Sequence, residues 1–233
     1  MNISLSSKAI AVFFAVIVVV LSLAHIIVET IYQSGGGRVY GLIHFLNLDR
    51  ERSLPTVYSY TAILFCAVLL FIIAYTKHQQ NDIHTKQWLV LALAFVFLAT
   101  DEALSIHERL ITETVSWTPY YVVGATVLLL SLRKLILELP KLSRTQFIIA
   151  GAIYVVGVVG VEAIGGMWLH DRGGGTICVI LVTIEEILEM TGIVIFIYAL
   201  TFYIEQELPT LSITLQQPNK ISHAKTNLDN RSA

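Results

Sequence analysis

Apolar residues dominate six long blocks of the chain, at 9–32, 57–75, 88–110, 119–132, 147–169 and 177–204, with short polar connections between them. An α-helix rises about 1.5 Å per residue, so about 20 residues cross a hydrocarbon core of roughly 30 Å. The pattern therefore predicts an all-α polytopic bundle of six transmembrane helices. The fourth block is the shortest, and it extends through Arg133 and Lys134 if their charged heads snorkel to the interface. Pro119 suits a first helical turn, where its missing N–H costs nothing, and Pro140 falls in the next connection. The first block follows Lys8, is too long for the apolar region of a signal peptide, and has no A-x-A site after it. It reads as an uncleaved first helix.

Composition agrees with this class. The chain is 55% hydrophobic and 14% charged, where soluble domains carry about 25% charge. The mean hydropathy is +0.72. Cys66 and Cys178 lie in apolar sequence without CxxC spacing and read as small core residues. From Pro209 the chain turns polar, so the expected division is a membrane domain at 1–208, with an outer loop at 33–56, and a disordered cytoplasmic tail at 209–233. No phosphate loop and no basic nucleic-acid motif occurs.

Charge sets the expected orientation. One side of the six-span map holds Lys8, Lys77, Lys86, Arg133, Lys134, Lys141, Arg144, Lys220, Lys225 and Arg231, and the other holds Arg38, Arg50, Arg52, Arg109 and Arg172. The positive-inside bias places both termini in the cytoplasm, with the protein in the cytoplasmic (inner) membrane. The acids fall the other way. Glu29, Asp49, Glu51, Asp101, Glu102, Glu108, Glu113, Glu162, Asp171, Glu185, Glu186 and Glu189 lie outward; Asp82, Glu138, Glu205, Glu207 and Asp229 lie inward.

Several outward acids interrupt apolar blocks, where an ionised group is costly and marks a functional candidate. Asp101, Glu162 and Glu185 are each expected roughly 10–14 Å below the outer surface, counting along their helices. Three helices thus bring carboxylates to similar depth. Glu185 and Glu189 are four residues apart and Glu186 and Glu189 three, so all three share one face. Unpaired, they cannot all ionise in a low dielectric; a proton, an arginine or a bound cation must compensate. On a continuous third helix Asp101, Ser105 and Glu108 share a face, Glu102 lies off it, and His107 points elsewhere. Ser22, His25 and Glu29 form a polar stripe on the first helix, in which the carboxylate would orient the histidine. Glu162 stands alone among small residues that permit close helix approach. Two Gly-rich outer loops, at Gly35-Gly36-Gly37 and Gly173-Gly174-Gly175, are candidate lids or flexible connectors. The stretch from Tyr40 to Asn47 is amphipathic, suited to the interface or to folding over the bundle.

The strings Asn47-Leu48-Asp49-Arg50-Glu51 with Leu54-Pro55-Thr56, Asp101-Glu102-Ala103-Leu104-Ser105-Ile106-His107-Glu108, and Glu185-Glu186-Ile187-Leu188-Glu189-Met190 resemble a group of uncharacterised bacterial multipass membrane proteins. The resemblance spans most of the chain outside the tail and implies no activity.

Three function classes remain. The first is a divalent-cation site with His25, Glu29, Asp101, Glu102, Glu108, Glu162, Glu185 and Glu189 as candidate ligands, and Glu186 or His107 as acid/base. Carboxylate dominance points to Mn, Fe, Mg or Ca ahead of a pure Zn site. In catalytic use such a metal would act on a lipid or polyprenyl substrate, the class that the bilayer position suggests. The second is a proton- or cation-coupled transporter or channel, for which an oligomeric pore is one arrangement. The third is a structural or assembly subunit of the membrane.

Overall fold

A computed structural model of the 233-residue chain describes residues 6–35, 40–48, 50–106, 118–161 and 176–208. No strand occurs among the described residues. Helix α1 (Ser7–Gln33) starts where Ser6 accepts the Ala9 N–H at 3.2 Å, a side-chain cap on an otherwise orphaned donor. A short α2 (Tyr40–Leu46) follows. Helix α3 (Leu54–Gln79) is capped in the same way by Ser53, with Pro55 in its first turn. Then come α4 (Thr85–Leu104), α5 (Thr118–Glu138), α6 (Lys141–Val155), a π turn at Val156–Val161, and α7 (Thr176–Glu207).

Five segments are long and apolar enough to cross a membrane: Ser7–Gln33, Leu54–Gln79, Thr85–Leu104, Lys141–Gly160 and Val179–Glu207. The remaining expected span falls on α5, a helix of 21 residues that is not among these five. The solvent pattern is that of a membrane protein. On α1, Val12, Phe13, Val16, Val19, Val20 and Leu23 are exposed while Ser22 and His25 are buried. A water-soluble helix shows the reverse; lipid outside and a polar stripe inside accounts for it.

One expected element is shorter than the hydropathy pattern implied. The third block was expected to be helical through residue 110, but α4 closes at Leu104. Ser105 adopts the left-handed conformation (φ 49°) and its N–H returns to the Asp101 carbonyl, an αL-type helix stop. The face expected to run on from Asp101 is therefore interrupted at Ser105, and Glu108 lies outside the described residues.

The helices run up and down. At one end, the Ser7 N–H meets Glu205 Oε2 at 3.4 Å, Lys77 pairs with Asp82 at 3.2 Å, and His84 Nε2 meets Glu138 Oε2 at 2.7 Å. Burial alone would raise the Asp82 pKa, but the His84 amide and the Lys77 ammonium outweigh it and hold the carboxyl below its ordinary value. At the other end, the Thr176 hydroxyl donates to Gln33 Oε1 at 3.4 Å. Helix α7 is central, packing on α1, α3 and α6, while α3 pairs with α4. The core around Leu70, Ile73, Trp88, Ala92, Ile197 and Leu200 occupies the half nearer the basic end. Aromatic rings knit it: Phe95 stacks on Phe196 at 4.7 Å, Phe147 meets Phe196 edge-on at 5.0 Å, and Trp88 lies 5.0 Å from Tyr203. Asp101 and Glu102 of α4 and Glu185, Glu186 and Glu189 of α7 lie toward the opposite end.

Candidate carboxylate site

Helices α6 and α7 meet along a seam of glycines. A Cβ added at Gly192 would come within 2.9 Å of the Tyr154 Cβ and backbone nitrogen. A Cβ at Gly157 would sit 2.9 Å from Glu189 Cγ and 3.1 Å from the Glu185 carbonyl oxygen. Three residues forward on α6 match three residues back on α7, the register of antiparallel helices. Gly157 lies in the π turn, a local widening that recurs at functional sites. The absence of a side chain there lets the acid-bearing stretch of α7 lie directly against α6.

Glu189 reaches a small cavity at this seam. Its lining is Tyr58, Ser59, Ala62 and Ile63 of α3, Glu102 of α4, Tyr154 of α6, and Glu189, Met190 and Ile193 of α7. The cavity measures about 10 Å³, at the lower limit for one water-sized guest. Counted along each helix from its basic end, Glu102 and Glu189 both lie about 25–27 Å up, near the far boundary of a roughly 30 Å hydrocarbon core. Two acidic residues from separate helices thus line one cavity at similar depth. The Tyr58 hydroxyl donates to the Phe14 carbonyl at 3.1 Å, tying this wall to α1.

His25 has a different position. It is 4% exposed, and both ring nitrogens are engaged. The Leu48 N–H donates to Nδ1 at 3.3 Å, and Nε2 lies 3.1 Å from Thr183 Oγ1. The Thr183 hydroxyl donates onward to the Val179 carbonyl at 2.6 Å. With Nδ1 accepting, the proton belongs on Nε2, and the ring links α1 to α7 and to the outer segment. Leu48 itself is buried beside Val18, Met190 and Val194. The segment after α2 is therefore pinned across the α1–α7 seam, one residue from Glu189. Within α2, Ile43 is buried while Leu42 and Phe45 are exposed, so the amphipathic stretch folds over the bundle along one face.

The other sequence candidates are distributed around these two centres. Asp101 is buried in the last turn of α4. Glu185 and Glu186 are half-buried on α7, and the Glu185 backbone contacts the Gly157 position. Glu29 is half-buried and accepts from Gln33 Nε2 at 2.9 Å, beside the Gln33–Thr176 contact. His107, Glu108 and Glu162 lie outside the described residues. Among the described residues, no group of three or more His, Cys, Asp or Glu is placed to hold a metal ion. Gly157 belongs to the small-residue stretch before Glu162, whereas the lining tyrosines, Ser59 and Gly192 escaped sequence reasoning. A Tyr-Ser-Tyr string at the start of an apolar block was their only signal.

A family model described as Domain of unknown function (DUF8692) matches residues 10–204. No curated protein and no solved structure matches the chain.

Proposed function

The chain belongs to the DUF8692 family, and we propose that it is an integral membrane protein of the cytoplasmic membrane, with six spans and both termini inside, that binds a divalent cation at the Glu102–Glu189 cavity. The observation that carries this reading is that Glu102 of α4 and Glu189 of α7 line one cavity. Acids that share a cavity in a low dielectric are compensated by a bound cation, a shared proton or an arginine, and this reading takes the cation. The volume suits one ion, and the donors are oxygens, which favours Mg, Ca or Mn over Fe and Zn. Glu162, outside the described residues, is the candidate to complete the coordination. His25 acts as a structural tether in this reading, since ligation would cost it a hydrogen bond to Leu48 or Thr183.

The finer reading adds chemistry at the same place. A metal held there would polarise a lipid or polyprenyl substrate or activate water, with Glu186 or His107 as acid/base. Transport through a single protomer fits less well, because Leu70, Ile73, Trp88, Ile197 and Leu200 fill the half of the bundle below the cavity. Thermal unfolding of detergent-purified protein with added Mg²⁺, Ca²⁺ or Mn²⁺ tests cation binding. At 100 times its Kd a specific ion adds about 2.7 kcal/mol, so the midpoint should rise in wild type and stay fixed in Glu102→Gln/Glu189→Gln. A midpoint indifferent to all three ions in wild type would point to a shared proton instead.

A further inference from the structure

The opposite end of the bundle carries a second polar feature. Between residues 118 and 161 the chain has four cations, Arg133, Lys134, Lys141 and Arg144, and one acid, Glu138. All four cations flank the α5–α6 turn. Glu138 is the natural counter-charge for Lys134, one helical turn back on the same face. Instead its Oε2 is held by His84 Nε2 at 2.7 Å, from the start of α4. Arg144 is oriented across the turn, its guanidinium donating to the Leu137 carbonyl at 3.1 Å. Apolar side chains interleave with the charges: Leu137 and Leu142 are 56% and 57% exposed, and Ile83, next to His84, is 79% exposed.

A cationic turn bordered by exposed aliphatic residues at the end of membrane-spanning helices matches a headgroup above acyl chains. We infer that the α5–α6 turn is a binding surface for anionic phospholipid, with Lys134, Lys141 and Arg144 facing the phosphate and Leu137 and Leu142 against the chains. His84 contributes by engaging Glu138 Oε2, the acid one helical turn from Lys134. Positive-inside bias alone explains basic residues on this side; it does not explain the diversion of Glu138 or the anchoring of Arg144. Arg144 begins partly ordered, which lowers the cost of binding.

Native mass spectrometry of the full chain, titrated with phosphatidylglycerol and with phosphatidylcholine, tests this. Each basic residue at an anionic surface is worth about fivefold in affinity. Wild type should prefer phosphatidylglycerol. Lys134→Gln/Lys141→Gln should lower that affinity by about tenfold or more, while Lys134→Arg/Lys141→Arg should keep it. A control with the same charge loss elsewhere, Lys8→Gln/Lys220→Gln, should leave it unchanged. An equal fall in the control pair would reduce the effect to bulk charge and overturn the assignment. So would an unchanged preference in Lys134→Gln/Lys141→Gln, or inorganic phosphate alone competing as well as the lipid.

Discussion

At the scale of single residues, His25 does the most to join separate parts of the chain. Its ring bonds the outer segment at Leu48 and α7 at Thr183. A polar stripe of Ser22, His25 and Glu29 was legible from spacing, and it does face inward, with Ser22 and His25 buried. The partners were not legible, because Leu48 and Thr183 are distant in sequence and neither has a distinctive chemical type. His25→Ala removes two buried hydrogen bonds, each worth about 0.5–1.5 kcal/mol net, and strands the Leu48 amide. The expected result is a loss of roughly 2–4 kcal/mol and faster hydrogen exchange at Leu48, with the α3–α4 core still protected. Unchanged exchange at Leu48 would remove His25 from this tethering role.

At the scale of elements, hydropathy integrated over about twenty residues located the helices well, because the bilayer imposes a length that no single residue sets. It failed at ends and irregularities. Asp101-Glu102-Ala103-Leu104-Ser105-Ile106 contains no glycine or proline to announce a stop, yet α4 closes at Leu104 with Ser105 left-handed. The π turn at Val156–Val161 has no sequence signature beyond its two glycines. The α6–α7 seam shows which glycine matters for packing. At Gly192 the atoms that a Cβ would strike belong largely to the Tyr154 backbone, which cannot swing aside. Gly192→Ala should therefore destabilise the protein by about 1–3 kcal/mol, and Gly151→Ala, where an added Cβ meets nothing within 4 Å, should be nearly neutral. Equal unfolding midpoints for the two variants would show that the seam tolerates separation.

At the scale of the whole molecule, charge separation along the bundle is the organising feature. The paired contacts of Ser7 with Glu205 and of His84 with Glu138 gather the basic ends, while Gln33 and Thr176 meet at the other. This arrangement could be read from the Lys and Arg bias alone, since alternating helices carry their ends to alternating sides. The site was legible only in part. Asp101, Glu162 and Glu185 were expected at one depth; Glu162 lies outside the described residues, and the acids that line the cavity are Glu102, which had been placed off the shared face of an uninterrupted helix, and Glu189. Orientation is checked by labelling from outside intact cells. Lys141→Cys should resist a membrane-impermeant maleimide and Gln33→Cys should react; the opposite result would invert the topology.

The central claim is that the carboxylate pair holds a divalent cation. Elemental mass spectrometry of detergent-purified wild type beside Glu102→Gln/Glu189→Gln tests it most directly. Wild type is expected to carry about one divalent ion per chain, and a variant that still folds to lose it. A well-folded wild type without stoichiometric metal, or a variant that keeps its metal, would contradict the account.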